Sequence, residues 1–233
     1  MQPHDFWQHV HPPMTFERQP EAGHRDLFPA EFDDGRQLAL PIRELADGQR
    51  ALASLIINQA SFAVEDALCA DLAAKVVSYE ADVVVGLPTL GLTLASGTAR
   101  KLGMGRYVPL GTSRKFWYRD KLSVPLTSVT SPEIPKRLYI DPRMVPLIEN
   151  RRVLLIDDVV SSGKSISAAL ELLELCGVRP VAIGVAMLQT DVWQNRLAAI
   201  DPRWIDQIIG VIRTPWLYRR AGGGWSATET TVL

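Results

Sequence analysis

The feature that most constrains the fold of this 233-residue chain lies past its middle. There Val153-Leu-Leu-Ile156 runs into Asp157 and Asp158, then through Val159 and Val160 into Ser161-Ser162-Gly163-Lys164-Ser165. A short apolar run without alternation is expected of a strand buried on both faces. Beyond it, Ile166, Ala169, Leu170, Leu173 and Cys176 recur at helical steps, which predicts a helix from about Gly163 to Cys176, stopped by Gly177. In open α/β sheets ligands bind at the carboxyl ends of strands. A helix N-terminus offers an anion unpaired N–H groups and the positive end of a dipole. The loop from Ser161 to Ser165 is therefore read as a phosphate cradle. Asp157 and Asp158 would repel a phosphate, so they address hydroxyls or a cation on the same ligand. A phosphate and a polyol held one loop apart describe a sugar phosphate.

Two other readings of this segment are weaker. Gly163-Lys164-Ser165 could end a nucleotide-triphosphate loop, GxxxxGK(S/T). The first glycine of that motif falls on Asp158, whose charge would face the triphosphate. The acids could also be simple caps on a strand–helix turn, but adjacent acids followed by small, hydroxyl and basic residues are more than a turn needs.

The flanking pattern sets the fold class. Asp82 to Gly86, Tyr107 to Leu110 and Val181 to Met187 read as further short strands, and residues 90–103 as a helix ending at Gly103. Strands alternating with helices predict an α/β fold with a mostly parallel central sheet flanked by helices. Upstream, Phe28 to Ile42 reads as two strands around an Asp33-Asp34-Gly35 turn. Residues 50–78 read as helical, with a break near Ser61, and residues 111–150 as irregular. Residues 1–26, polar and holding all four histidines, are expected to be a flexible N-terminal extension. His9 and His11 lack Cys or carboxylate partners at a metal-site spacing. The core is expected over 27–200, with 201–233 as a C-terminal segment.

Composition narrows the function classes. Net charge is −1, against the positive excess of a dedicated nucleic-acid binder, so no nucleic-acid partner is expected. Cys69 and Cys176 form no CxxC pair, which removes zinc-ribbon and thioredoxin-type sites and fits a reducing compartment. The stretch between Asp82 and Arg100 is uncharged but holds Pro88 and several Gly and Thr, making a poor membrane span. The N-terminus shows no basic region followed by an apolar run, so a cytoplasmic protein without a membrane partner is expected.

The segment from Val153 to Ser165 resembles the phosphoribosyl-pyrophosphate (PRPP) signature of type I phosphoribosyltransferases: four apolar residues, two acids, two apolar residues, and a small-residue loop ending in Gly-x-Ser/Thr. The resemblance implies that Asp157 and Asp158 bind the ribose hydroxyls and that Ser161, Ser162, Gly163, Lys164 and Ser165 bind the 5-phosphate. Upstream, Val83 to Leu92 is similar to the family's pyrophosphate loop, which implies pyrophosphate contacts from Pro88, Thr89, Leu90 and Gly91. The family often has a basic residue where this chain has Leu90. The segment from Ser113 to Leu122 loosely resembles the basic pair and mobile loop of the adenine and xanthine branch, making Lys115 and Lys121 the candidates for catalytic contacts with pyrophosphate. The resemblance covers about residues 50–190, and the terminal segments are expected to form the hood that selects the base.

The implied reaction displaces pyrophosphate from C1 of PRPP by a nitrogenous base, with magnesium held mainly through PRPP itself rather than by direct protein ligands. A purine acceptor is favoured, and a homodimer is expected. Hypoxanthine–guanine enzymes usually open the phosphate loop with an aspartate, where this chain has Ser161, although Lys164 resembles that same branch. Trp193, Trp204, Trp216, Tyr218 and Trp225 could stack on a base or pack the hood. The alternative is a non-catalytic sensor of PRPP or nucleotides that controls a partner.

Overall fold

The computed structural model describes residues 1–126 and 136–227. In chain order the first half holds β1 (Val10–His11), β2 (Leu27–Glu31), β3 (Gln37–Glu44), β4 (Arg50–Ala53), α1 (Phe62–Val76), β5 (Val83–Gly86), α2 (Gly91–Lys101) and β6 (Val108–Pro109). There follow β7 (Ser123–Leu126), β8 (Lys136–Tyr139), β9 (Val153–Val160), α3 (Lys164–Glu174) and β10 (Ala182–Gln189). The chain continues with α4 (Val192–Ile200), α5 (Trp204–Gln207), β11 (Ile208–Thr214), β12 (Leu217–Arg219) and β13 (Trp225–Ser226). Among the described residues no helix is long and apolar enough to cross a membrane.

The core is a five-stranded sheet in the order β11-β10-β9-β5-β6, parallel throughout. This is the expected α/β architecture. Its central strands are apolar on both faces because both are covered. Leu154 and Ile156 pack with Val64, Leu68 and Leu72 of α1 and Leu94 of α2. Val153 and Leu155, pointing the other way, pack with Ile166, Leu170 and Leu173 of α3 and with Trp193 and Leu197 of α4.

A second, antiparallel sheet is built from strands near both chain ends, in the order β1-β3-β4-β12-β13, with β2 also paired to β3. Two side chains pin it to its surroundings at β4. Gln189, at the carboxyl end of β10, donates to the Ala53 carbonyl at 2.7 Å, and the Trp7 indole N–H donates to the Ser54 carbonyl at 3.0 Å.

Several boundaries differ from the sequence expectation. Residues 50–53 are strand, not helix, because they pair with β3 and β12. The helix starts only after Ser61, whose hydroxyl caps it by accepting from the Val64 N–H at 3.3 Å. Residues 1–26 are not a loose extension: Phe6 and Trp7 are buried, β1 pairs with β3, and the Phe16 N–H donates to the Gln37 amide oxygen at 2.8 Å. Residues 208–214 are an edge strand of the core sheet, so the C-terminal contribution to the antiparallel sheet starts at Leu217. Within the irregular stretch 111–150, β7 and β8 pair antiparallel. Residues 127–135 of that stretch and 228–233 of the expected C-terminal segment lie outside the described residues. Finally, β9 runs on to Val160, which puts the acid pair inside the strand rather than after it.

Candidate ligand site at the carboxyl end of the core sheet

Register builds the site. Gly86, the last residue of β5, pairs with Ile156, and the Leu87 N–H donates to the Ile156 carbonyl at 2.9 Å. The loop of Leu87, Pro88, Thr89 and Leu90 therefore leaves the sheet beside Asp157. The chain then turns into α2, and Gly91 lies directly on the acid strand. A Cβ at Gly91 would sit 2.6 Å from Asp157 Oδ1, 2.8 Å from Asp157 Cα and 3.2 Å from the Asp158 nitrogen. Only glycine permits this approach. The expected pyrophosphate loop and the expected ribose acids are thus in van der Waals contact. The Pro88–Thr89 peptide is cis.

Asp157 is buried, and its Oδ1 accepts the Asp158 N–H at 2.9 Å. Burial, and next the neighbouring Asp158 charge, push its carboxyl well above the usual carboxylate range. Asp158 is half-buried, and burial raises its carboxyl too. The positive end of the α2 dipole abuts this pair. Among the described residues no basic side chain forms an ion pair with either acid. The acids keep acceptor capacity for hydroxyl donors or for a cation brought by a ligand.

On the other side, β9 feeds the loop of Ser161, Ser162 and Gly163, and α3 starts at Lys164. Gly163 has φ +74°, a left-handed turn that aims the chain into the helix. No side chain caps α3, and none caps α2. First-turn N–H groups of both helices are therefore left for anions, apart from that of Thr93, which donates to the Leu90 carbonyl at 3.2 Å. Among the described residues the hydroxyls of Ser161, Ser162 and Ser165 and the Lys164 ammonium have no hydrogen-bonded partner. The backbone of the loop is held from behind by α4. Arg196 donates Nε–H to the Ser162 carbonyl at 2.9 Å, and a Cβ on Gly163 would lie 3.5 Å from Trp193. Sequence reasoning identified Trp193 only as an aromatic of the C-terminal part and missed Arg196. Their i, i+3 spacing on a helix following the signature is the signal that could have found them.

Lys115 and Lys121 lie in the segment joining β6 to β7, which leaves the same edge of the sheet. Both are exposed, and neither side chain has a hydrogen bond or ion pair among the described residues. They are not brought into contact with the acid pair. The segment is tethered at Trp117, whose indole N–H donates to Asp141 at 3.1 Å while the Arg143 guanidinium stacks 4.7 Å above its ring. The C-terminal aromatics divide. Trp193, Trp204 and Trp225 are buried packing residues, while Trp216 and Tyr218 are half-buried. Among the described residues no three His, Cys, Asp or Glu side chains group as metal ligands.

Residues 57–215 match the family model described as "Phosphoribosyl transferase domain". Curated relatives are named "Bifunctional protein PyrR". The one from Streptomyces coelicolor is 38% identical over 109 residues, 46% of this chain and 51% of that protein. The one from Mycobacterium ulcerans is 28% identical over 148 residues, 62% of this chain and 74% of that protein. The chain spans about half the length of the first of these relatives. Among solved structures, the APRTase from Giardia lamblia complexed with 9-deazaadenine superposes with a TM-score of 0.55 at 21% identity, covering 81% of this chain and 93% of that one. The adenine phosphoribosyltransferase from Thermoanaerobacter pseudethanolicus superposes with a TM-score of 0.52 at 21% identity, covering 65% and 81%. At these identities the structural matches speak to the fold alone.

Proposed function

This chain belongs to the phosphoribosyltransferase family, and from that premise we propose that it transfers ribose 5-phosphate from PRPP to a nitrogenous base, releasing pyrophosphate. One observation carries the reading: the carboxyl-terminal half of β9 holds an acid pair between two uncapped helix N-termini, one opened by Gly91 and one by Gly163. PRPP has the same order of groups, an anion at each end of a diol. Residues 161–165 take the 5-phosphate, Asp157 and Asp158 accept from the ribose hydroxyls, and Pro88 to Gly91 take the pyrophosphate.

In the reaction the C1–O bond breaks and its electron pair leaves with pyrophosphate. The lone pair of a ring nitrogen forms the new bond to C1, and the proton on that nitrogen is released. Charge builds on the leaving group, so the chain's work is positioning and electrostatic stabilisation. The α2 N-terminus does this at the pyrophosphate, with Lys115 and Lys121 approaching from the segment after β6. Magnesium, carried mainly by PRPP, would neutralise pyrophosphate charge, and Asp158, the more accessible acid, is the residue suited to touch it.

A purine is the favoured acceptor, from the likeness of the 113–122 segment to the adenine and xanthine branch. A second reading is a PRPP or nucleotide sensor. It draws on Leu90, where the family often has a basic residue, and on the name "bifunctional" borne by the matched relatives. A pyrophosphate-release assay with magnesium, PRPP and adenine, xanthine, hypoxanthine, guanine, orotate or uracil separates them. Release with a purine supports the favoured enzyme. Release with only a pyrimidine overturns the purine preference, and PRPP binding without release for any base favours the sensor.

A further inference from the structure

The phosphate loop is built on a helix outside the PRPP signature, and one residue of that helix touches the peptide that matters most. Arg196 of α4 donates Nε–H to the Ser162 carbonyl at 2.9 Å. Its Cδ lies 3.3 Å from where a Cβ on Gly163 would sit, so the aliphatic stem covers Gly163 while the guanidinium holds the preceding carbonyl. One helical turn earlier, Trp193 backs the same glycine at 3.5 Å. That indole is buried and pinned by its own N–H to the Thr190 carbonyl at 3.0 Å.

We infer that Arg196 is a positioning residue for the 5-phosphate: it orients and polarises the Ser162–Gly163 peptide so that the Gly163 N–H faces the ligand. The inference rests on the phosphoribosyl reading proposed above. In a trans peptide the C=O and N–H point in opposite directions. With the Ser162 carbonyl turned toward α4, the Gly163 N–H turns away from it. That N–H has no backbone partner among the described residues. A guanidinium on the carbonyl draws electron density through the amide and makes the N–H a stronger donor.

The charge itself is unspent. Arg143, Arg179 and Arg203 are each paired with an aspartate, whereas Arg196 has no carboxylate partner among the described residues. Its positive charge therefore stands behind a loop that offers N–H groups and hydroxyls to a dianion, and adds to the dipole of α3.

The test is calorimetric binding of three probes in magnesium (PRPP, ribose 5-phosphate and inorganic pyrophosphate) to wild type, Arg196→Ala and Arg196→Lys. Arg196 is exposed, so both variants should fold. In Arg196→Ala the affinity for PRPP and for ribose 5-phosphate is expected to fall about tenfold, the size of one charge-assisted hydrogen bond. Affinity for pyrophosphate, held at the other end of the site, stays at the wild-type value. In turnover the KM for PRPP rises while kcat is little changed. Arg196→Lys keeps a charged donor and recovers part of the loss. Unchanged ribose 5-phosphate affinity in Arg196→Ala overturns the inference. So does an equal loss for pyrophosphate, which would mean general loosening of α4. Wild-type protein that binds none of the three probes overturns the phosphoribosyl reading, and this inference with it.

Discussion

Gly91→Ala isolates the contact on which the site depends. The added methyl would sit 2.8 Å from Asp157 Cα and 2.6 Å from Oδ1. Carbon atoms normally approach to about 3.5–4.0 Å, so the shortfall is about 1 Å. The obstruction is backbone of β9, which is paired on both sides: Asp157 with Val185 of β10, and Ile156 with Gly86 of β5. It is therefore α2 and the Pro88 to Leu90 loop that must give way. Overpacking of this kind costs about 1–3 kcal/mol. Alanine returns about 1 kcal/mol of helix propensity over glycine. The net destabilisation is thus about 0–2 kcal/mol, a fall in Tm of at most about 8 °C for a chain of this size. The functional effect should be larger, because a displacement of about 1 Å can cost about 100-fold in rate. Pyrophosphate affinity, turnover and thermal unfolding of the same preparation separate the two effects. Gly105→Ala, with nothing within 4 Å of the new methyl, is the neutral control. A folded Gly91→Ala protein with wild-type pyrophosphate affinity and turnover would mean that the Gly91–Asp157 contact does not set the site.

Two further outcomes follow from the same geometry. Burial holds the Asp157 carboxyl above its ordinary value, so between that ordinary value, about 4, and the raised one the native state binds more protons than the unfolded chain. Wild-type stability therefore falls as pH rises through this window. Asp157→Asn should be the more stable protein at neutral pH, with the gap closing toward pH about 4; urea midpoints measured across that range check it, and identical pH profiles would count against the buried charge. Lys121→Ala is expected to lower turnover more than PRPP affinity, as loss of a contact made mainly in the transition state does. Wild-type turnover in that variant removes the segment between β6 and β7 from the mechanism.

The core sheet was legible because its strands are buried on both faces, and a run such as Val153 to Ile156 has few other fates. The neighbourhood of the acid pair and the Ser161 to Ser165 loop was legible because strand, acids, loop and helix start follow one another along the chain. What escaped depends on distant partners. Arg50 to Ala53 are residues that also suit a helix, and only pairing with β3 and β12 makes them a strand. Residues 1–26 look polar, yet Phe6 and Trp7 suffice to anchor them once the rest of the chain supplies their pockets. Arg196 reads as an ordinary helix-surface arginine until α4 folds back against Gly163. The Gly91 approach to Asp157 spans 66 positions that no local pattern connects.

The acid pair between two helix N-termini is proposed as the PRPP site. The most direct measurement is the magnesium-dependent affinity for PRPP of wild type beside the double variant Asp157→Asn, Asp158→Asn, each checked for native folding by circular dichroism and thermal unfolding. The expected result is saturable PRPP binding by wild type and none by a folded double variant. A folded double variant with unchanged PRPP affinity would contradict the claim.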